Sequence, residues 1–295
     1  MAKTKVSVVI VARNEARNIE RCVGGIYSQR GDWEIDVVLV DSASEDGTPD
    51  LARRWPVHVE IIQRHEFHHG RTRNLGASLT KGDYLVFLQG DAWAADENWL
   101  AELLAPFAEG SHVAAVYGRQ VPKEDCDPVN RFRTRWNYGT SRIDKSIKLE
   151  SQLAHRLYFF STANCAIRRD IWEQFRFPED IRIFEDTTFA RQVIQSGYTI
   201  VYNPAASVVH SHNLGAHAIF RRYLDMGYVQ RKYGFGSNVG QRYRAEGIQY
   251  LKDGARTIFR DTGLAWTCRF VFHTAVGYAG LVWGRLVCKA GAKLQ

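Results

Sequence analysis

The chain is poor in the features that mark several common classes of protein. Cysteine is scarce, 5 in 295 residues. Cys22, Cys126, Cys165, Cys268 and Cys288 form no CxxC pair and are odd in number, so neither a disulfide framework nor a zinc site is expected, and a reducing cytoplasm fits. Met1–Lys5 run straight into a strand pattern, without the basic and then apolar segments of a secretory signal. There is no internal repeat and no low-complexity tract, which excludes solenoids and propellers. No GxGxxG follows the first apolar strand, so a dinucleotide fold has little support. No GxxxxGK[ST] occurs, so P-loop chemistry is not indicated. The apolar C-terminal stretch runs for 15 residues between Arg269 and Arg285, short of the about 20 that an ordinary membrane span needs.

What is present is an ordinary globular composition, 45% hydrophobic and 24% charged, on a length that suits one large α/β domain and a smaller extension. Val6–Val11, Asp36–Val40, Val57–Ile62 and Tyr84–Leu88 read as buried strands. Helical spacing fills the gaps: Asn14–Tyr27 with Ile19, Val23 and Ile26, then Thr48–Arg54 and Arg71–Thr80. Strand–helix alternation predicts βαβ units and a mostly parallel sheet. Such sheets bind ligands at the carboxyl ends of their strands. Polar clusters stand at those ends: Arg13-Asn14-Glu15, Asp41-Ser42-Ala43-Ser44 and Gln89-Gly90-Asp91. Three in phase with the strands point to a nucleotide site.

At these residues the sequence resembles family 2 glycosyltransferases with the GT-A fold. The matching pieces are VSVVIVARNE (6–15), VDSASEDGT (40–48), GRTRNLG (70–76), YLVFLQGDA (84–92) and FEDTTF (184–189), five in the right order over about residues 5–215. The run 66–74 also resembles a bacterial subgroup of rhamnosyltransferases. The resemblance implies a GT-A, Rossmann-like α/β fold with a mostly parallel sheet flanked by helices. It further implies inverting transfer of one sugar from a nucleotide-diphosphate donor, dTDP-rhamnose or a UDP-sugar, to an acceptor hydroxyl. The acceptor would be a glycan or lipid-linked glycan of cell-surface polysaccharide. The family commonly carries Asp-x-Asp where this chain has Gln89-Gly90-Asp91, one carboxylate instead of two, which bears on the strength of metal binding. The Gln-x-x-Arg-Trp motif of its processive polymerases is missing, which favours single-sugar addition.

Such a transfer needs a cation for the leaving diphosphate and a base for the attacking hydroxyl. Asp91 is the expected ligand of Mg²⁺ or Mn²⁺, because hard cations prefer carboxylate oxygen. His210, preferred over His212, would complete the site; both follow the apolar run Ala206–Val209 and would share a strand face. By resemblance Asp186 is the base, with Glu185 the substitute; Asp186 could also cap a helix over Thr187–Gln195. Donor binding falls to Val11, Arg13, Glu15, Asp41, Arg73, Asn74, Gln89 and Gly90, and Asp41 could instead merely cap its turn. The histidines 65, 68 and 69 read as a donor-side loop rather than a metal site.

Residues 1–214 are the expected catalytic domain. Residues 215–295 are a basic helical extension holding 13 Lys and Arg against 4 Asp and Glu, a net charge of +9. Arg221 and Arg222 stand where they could face an acceptor's diphosphate. Aromatics of Thr262–Ala290 mixed with Arg269, Arg285 and Lys289 suit a helix at an anionic membrane surface, on the cytoplasmic face. The alternative is a helix packed on its own core or in a homodimer. No nucleic-acid motif accompanies the basic region. Two other activities remain open at this level: a nucleotidyltransferase, though the loop after the first strand lacks its glycine richness, and a degenerate, non-catalytic carbohydrate- or lipid-binding module.

Overall fold

The computed structural model describes residues 3–181, 183–234 and 240–289. Its strands are β1 (Thr4–Ala12), β2 (Trp33–Ser42), β3 (Val57–Ile62), β4 (Tyr84–Gln89), β5 (Trp93–Ala94), β6 (Val113–Val121), β7 (Ile143–Lys145), β8 (Asn164–Arg168) and β9 (Thr199–Val209). Its helices are α1 (Ile19–Tyr27), α2 (Thr48–Ala52), α3 (His69–Ser78), α4 (Trp99–Leu104), α5 (Pro128–Asn137), α6 (Glu150–Leu153), α7 (Arg169–Gln174), α8 (Glu185–Gln195), α9 (Ala216–Lys232), α10 (Gly240–Thr262) and α11 (Leu264–Lys289).

One nine-stranded sheet carries the fold, in the order β3-β2-β1-β4-β8-β6-β9-β5, with β7 also paired to β9. The longest pairings, β1 with β2, β6 with β9, β1 with β4 and β2 with β3, are parallel; β8, β5 and β7 pair antiparallel. The fold is therefore the expected α/β sheet flanked by helices, with a helical C-terminal extension. Val6, Val8, Val9 and Ile10 are all fully buried. Both faces of β1 are thus covered, which is why the strand reads as an unbroken apolar run. On α1, Ile19, Cys22, Val23 and Ile26 are buried at helical spacing and close one face of the sheet.

The chain order β3-β2-β1-β4 reverses direction between β1 and β4. That switch point is where open sheets of this kind form a ligand crevice, beyond the carboxyl ends. The loops after β1 and β2 are tied together there. Asn14 N–H donates to Ser44 Oγ (2.7 Å), Glu15 N–H to Thr48 Oγ1 (2.7 Å) and Ala16 N–H to Asp46 Oδ2 (2.9 Å). These bonds end the helical pattern early, so α1 starts at Ile19 and not Asn14.

The C-terminal apolar stretch forms a single helix, α11. Gly263, with φ +84, separates α10 from α11, and Ala290 lies outside the described residues. Phe270 of α11, Ile258 of α10 and Val129 of α5 share a small core, so the extension is packed onto the preceding residues.

Candidate active site

Two connected depressions lie over the carboxyl ends of the strands. The smaller, about 350 Å³, is walled by Val11, Arg13, Glu15, Ser42, Arg64, Phe67, His69, Arg73, Gln89, Gly90, Asp91 and His212. The larger, about 2340 Å³, shares His69, Arg73, Gln89 and His212, passes Glu185, Asp186 and His210, and runs past Arg221 and Arg222 to α11. The two meet at Gln89 and His212.

Gly90 stands where β4 leaves the sheet. A Cβ there would lie 2.6 Å from Ala12 Cβ, so only glycine lets the loop pass this close to β1. Asp91 follows, buried to 6% exposure. Its Oδ2 accepts from Lys123 Nζ (2.9 Å); Oδ1 lies 3.2 Å from His210 Nε2, and Oδ2 lies 3.7 Å from His212 Nδ1. Burial alone would raise the carboxyl's pKa. The His210 and His212 imidazoles and the Lys123 ammonium outweigh it and hold Asp91 well below the usual range. His212 is pushed down to about 4, first by desolvation and then by His210.

Gln120, at the end of β6, decides how His210 faces this cluster. Its Oε1 lies 2.8 Å from His210 Nδ1, and its amide donates to Tyr138 Oη (2.6 Å) and Ser161 Oγ (2.9 Å). That orientation makes Nδ1 the donor to Gln120 and turns Nε2 toward Asp91 Oδ1. Nε2 is buried and makes no well-formed hydrogen bond. A proton on Nε2 or a metal ion between the two atoms would satisfy both. Asp91, His210 and His212 can each offer one ligand atom, all within 4.8 Å of one another. One carboxylate oxygen and two imidazoles could hold a divalent ion, and the imidazoles fit a transition ion such as Mn²⁺ better than Mg²⁺, which prefers oxygen ligands.

Asp186 lies across the larger cleft, half-buried in the first turn of α8. Phe184, in the left-handed region at φ 71, is the N-cap. The helix thus starts two residues before Thr187, and Asp186 is not its cap. The Asp186 carboxylate accepts from Thr187 N–H (2.6 Å). Its pKa is raised, mainly by desolvation and then by the charge of Glu185. Glu185 is buried and pairs with Arg73 Nη1 at 3.1 Å, the two side chains 7% and 3% exposed.

The remaining expected donor residues divide. Val11, Arg13, Glu15, Gln89 and Gly90 line the smaller depression. Arg73 borders it, but its guanidinium is held by Glu185 and the His69 carbonyl (2.9 Å). Asp41 is fully buried, and its two oxygens accept from Ser44 N–H and Oγ, the turn-capping geometry. Asn74 lines neither depression. Its amide is bonded to the Trp172 indole, to both backbone atoms of Phe177 and to Glu179, which clasps α3 to the segment before α8. Arg221 and Arg222 are exposed on α9 along the larger cleft. Sequence reasoning passed over Lys123, Gln120, Arg64 and Phe67. The two on β6 and its exit follow an apolar strand, and nothing local marks them; they matter because β6 lies beside β9.

Residues 7–176 match the family model described as Glycosyl transferase family 2. The chain is 36% identical over 238 residues to the O-antigen chain rhamnosyltransferase WbaN of Salmonella anatum, covering 78% of this chain and 75% of the relative. It is 34% identical over 229 residues to the O-antigen chain rhamnosyltransferase RfbN of Salmonella typhimurium, covering 74% and 73%. Among solved structures it resembles the mannosyltransferase PcManGT of Pyrobaculum calidifontis in complex with GDP-Man and Mn²⁺, with a TM-score of 0.63 at 18% identity, covering 99% of this chain and 89% of that one.

Proposed function

The chain belongs to the family 2 glycosyltransferases, and on that premise we propose that it transfers a single sugar, with inversion, from a nucleotide-diphosphate donor to a hydroxyl of a lipid-linked glycan. The observation that carries this reading is the shared cleft: Asp186 and the Asp91, His210 and His212 cluster line connected depressions that meet at Gln89 and His212. The names of the two Salmonella relatives support rhamnose as the sugar. Family membership sets aside the nucleotidyltransferase alternative.

In this reading the smaller depression holds the nucleotide and turns the diphosphate toward Asp91. A divalent cation held by Asp91, His210 and His212 would stabilise the charge on the leaving diphosphate. Gln120 keeps His210 Nε2 directed into that site. Asp186 takes the proton of the acceptor hydroxyl as its oxygen attacks the anomeric carbon. Desolvation and Glu185 raise the Asp186 pKa, making it a better base than an exposed carboxylate. The Arg73–Glu185 pair anchors the turn that presents Asp186.

The far end of the larger cleft reaches α11, and α11 favours an anionic membrane surface as the setting. Away from the cleft it exposes Leu264, Phe272, Trp283 and Leu286, all at least 55% accessible, and it carries no Asp or Glu. By length and composition alone α11 could cross a membrane. Its other face packs along α9, however, which bears Arg221, Arg222, Asp225, Arg231 and Lys232; a crossing would draw those charges toward hydrocarbon. Lying in the interface keeps them in water. Residues 1–214 then act as the catalytic unit and 215–295 as the acceptor and membrane side, on the cytoplasmic face.

The test is turnover of dTDP-rhamnose and UDP-sugars with Mn²⁺. Asp186→Asn should lower kcat by at least ~100-fold with donor affinity nearly unchanged. The native enzyme should lose activity as pH falls through a value above the ordinary carboxylate range, because protonated Asp186 cannot accept a proton. NMR of the product should show the inverted anomer. Retention rejects the single displacement. Donor binding without any turnover dependent on Asp186 leaves a non-catalytic binding module.

A further inference from the structure

Lys123 lies at the centre of the site. Its Nζ is 2.9 Å from Asp91 Oδ2, with the two side chains 17% and 8% exposed. Its backbone N–H donates to Ser211 Oγ at 2.9 Å, and Ser211 stands between His210 and His212. The base of the side chain is thus fixed to the histidine segment, while the flexible four-carbon stem can swing its ammonium. The Trp93 ring lies 5.4 Å from Nζ and also carries Arg21, at 4.7 Å.

Resting on the reading of Asp91, His210 and His212 as a divalent-cation site, we propose that Lys123 is a movable counter-cation. It holds Asp91 while the site is free, and it turns to the donor's diphosphate when the divalent ion takes the carboxylate. Metal and donor therefore bind better together than either does alone.

Charge is the reason. The Asp91 carboxylate and the Lys123 ammonium carry opposite unit charges 2.9 Å apart. A divalent ion entering while Lys123 still holds Asp91 must share one carboxylate with a second cation in a buried site, where like charges repel strongly. A second acid at position 89 would have relieved that repulsion, but the residue is Gln89. Once Lys123 leaves Asp91, the ion and the ammonium together present a surplus positive charge, and a nucleoside diphosphate is the dianionic group expected there. Donor binding pulls Lys123 away and tightens the ion; by linkage the ion tightens the donor equally.

The test uses the full chain in metal-free buffer, with Mn²⁺ followed by electron paramagnetic resonance and inorganic diphosphate by calorimetry. Lys123→Met should bind Mn²⁺ alone about tenfold more tightly and inorganic diphosphate alone about tenfold more weakly than the native chain. Lys123→Arg should stay close to native in both. Lys123→Gln should follow Met, which guards against a packing artefact at one variant. Asp91→Asn should lose Mn²⁺. A Lys123→Met chain with native melting temperature and native Mn²⁺ affinity overturns the inference. Mn²⁺ binding that survives Asp91→Asn overturns instead the metal reading on which it rests.

Discussion

The His210 ring is oriented by one amide. Gln120 holds Nδ1 through Oε1, and Gln120 is itself held by Tyr138 and Ser161. Partners of this kind commonly cost 10–100-fold in metal affinity when removed. Gln120→Leu should therefore weaken Mn²⁺ binding by about that range, whereas Gln120→Glu, which still accepts from Nδ1, should retain most of it. Titration of Mn²⁺ against both variants, with melting temperatures alongside, checks this; equal Mn²⁺ affinity in Gln120→Leu and native chain would remove Gln120 from the site. The same scale shows where backbone strain is stored. Asn14, Ala43 and Phe184, non-glycine residues at φ 54, 50 and 71, all stand in the loops that border the depressions. Conformations of this kind persist where surrounding bonds over-determine them, here the ties between Asn14, Ser44 and Glu45. Asp91, His210 and His212 could be named from strand ends and the family resemblance. Gln120 and Lys123 could not, because Gln120 meets His210 across 90 positions and Lys123 meets Asp91 across 32.

Among elements, the β1–β4 half was legible and the helix boundaries were not. Unbroken apolar runs mark strands covered on both faces. Helix starts depend on which loop groups bond to one another, as the tie between the 13–16 and 44–48 loops shows. The α9–α11 contact is the clearest case of an element pair decided by shape. Gly280 and Gly284 on α11 face the backbone of α9, and a Cβ at Gly284 would run into the Leu224 carbonyl oxygen. The apolar repeat of α11 predicts a helix but does not say that one face meets α9 at backbone distance. Gly284→Val should force the helices apart, at about 1–3 kcal/mol as for overpacked cores. Calorimetry should show a melting temperature lower by several degrees. A native value would mean that the two helices separate at little cost.

For the whole molecule, the consequence of that packing is an outer apolar face on α11 that no described residue covers. Replacing exposed residues tests its role without disturbing the packed face. The native chain should sediment with anionic phosphatidylglycerol vesicles, less so at high salt, because the net +9 of residues 215–295 is screened while insertion is not. Phe272→Glu with Trp283→Glu should abolish binding and leave the melting temperature near native. Loss of a dimer by light scattering, with no vesicle binding in the native chain, would make this face an interface between copies.

The α/β class, the strand ends that carry chemistry and the identity of Asp91, His210 and Asp186 as the residues to examine follow from local pattern and motif order, since apolar period and loop composition are properties of neighbouring residues. Tertiary structure alone decided that Asn74 and Asp41 are bonded within the protein, that Arg73 faces Glu185, that Lys123 meets Asp91 and that α11 keeps one apolar face free. Each of these depends on which distant backbone or side chain arrives within hydrogen-bonding or packing distance, and that is set by the order of strands in the sheet.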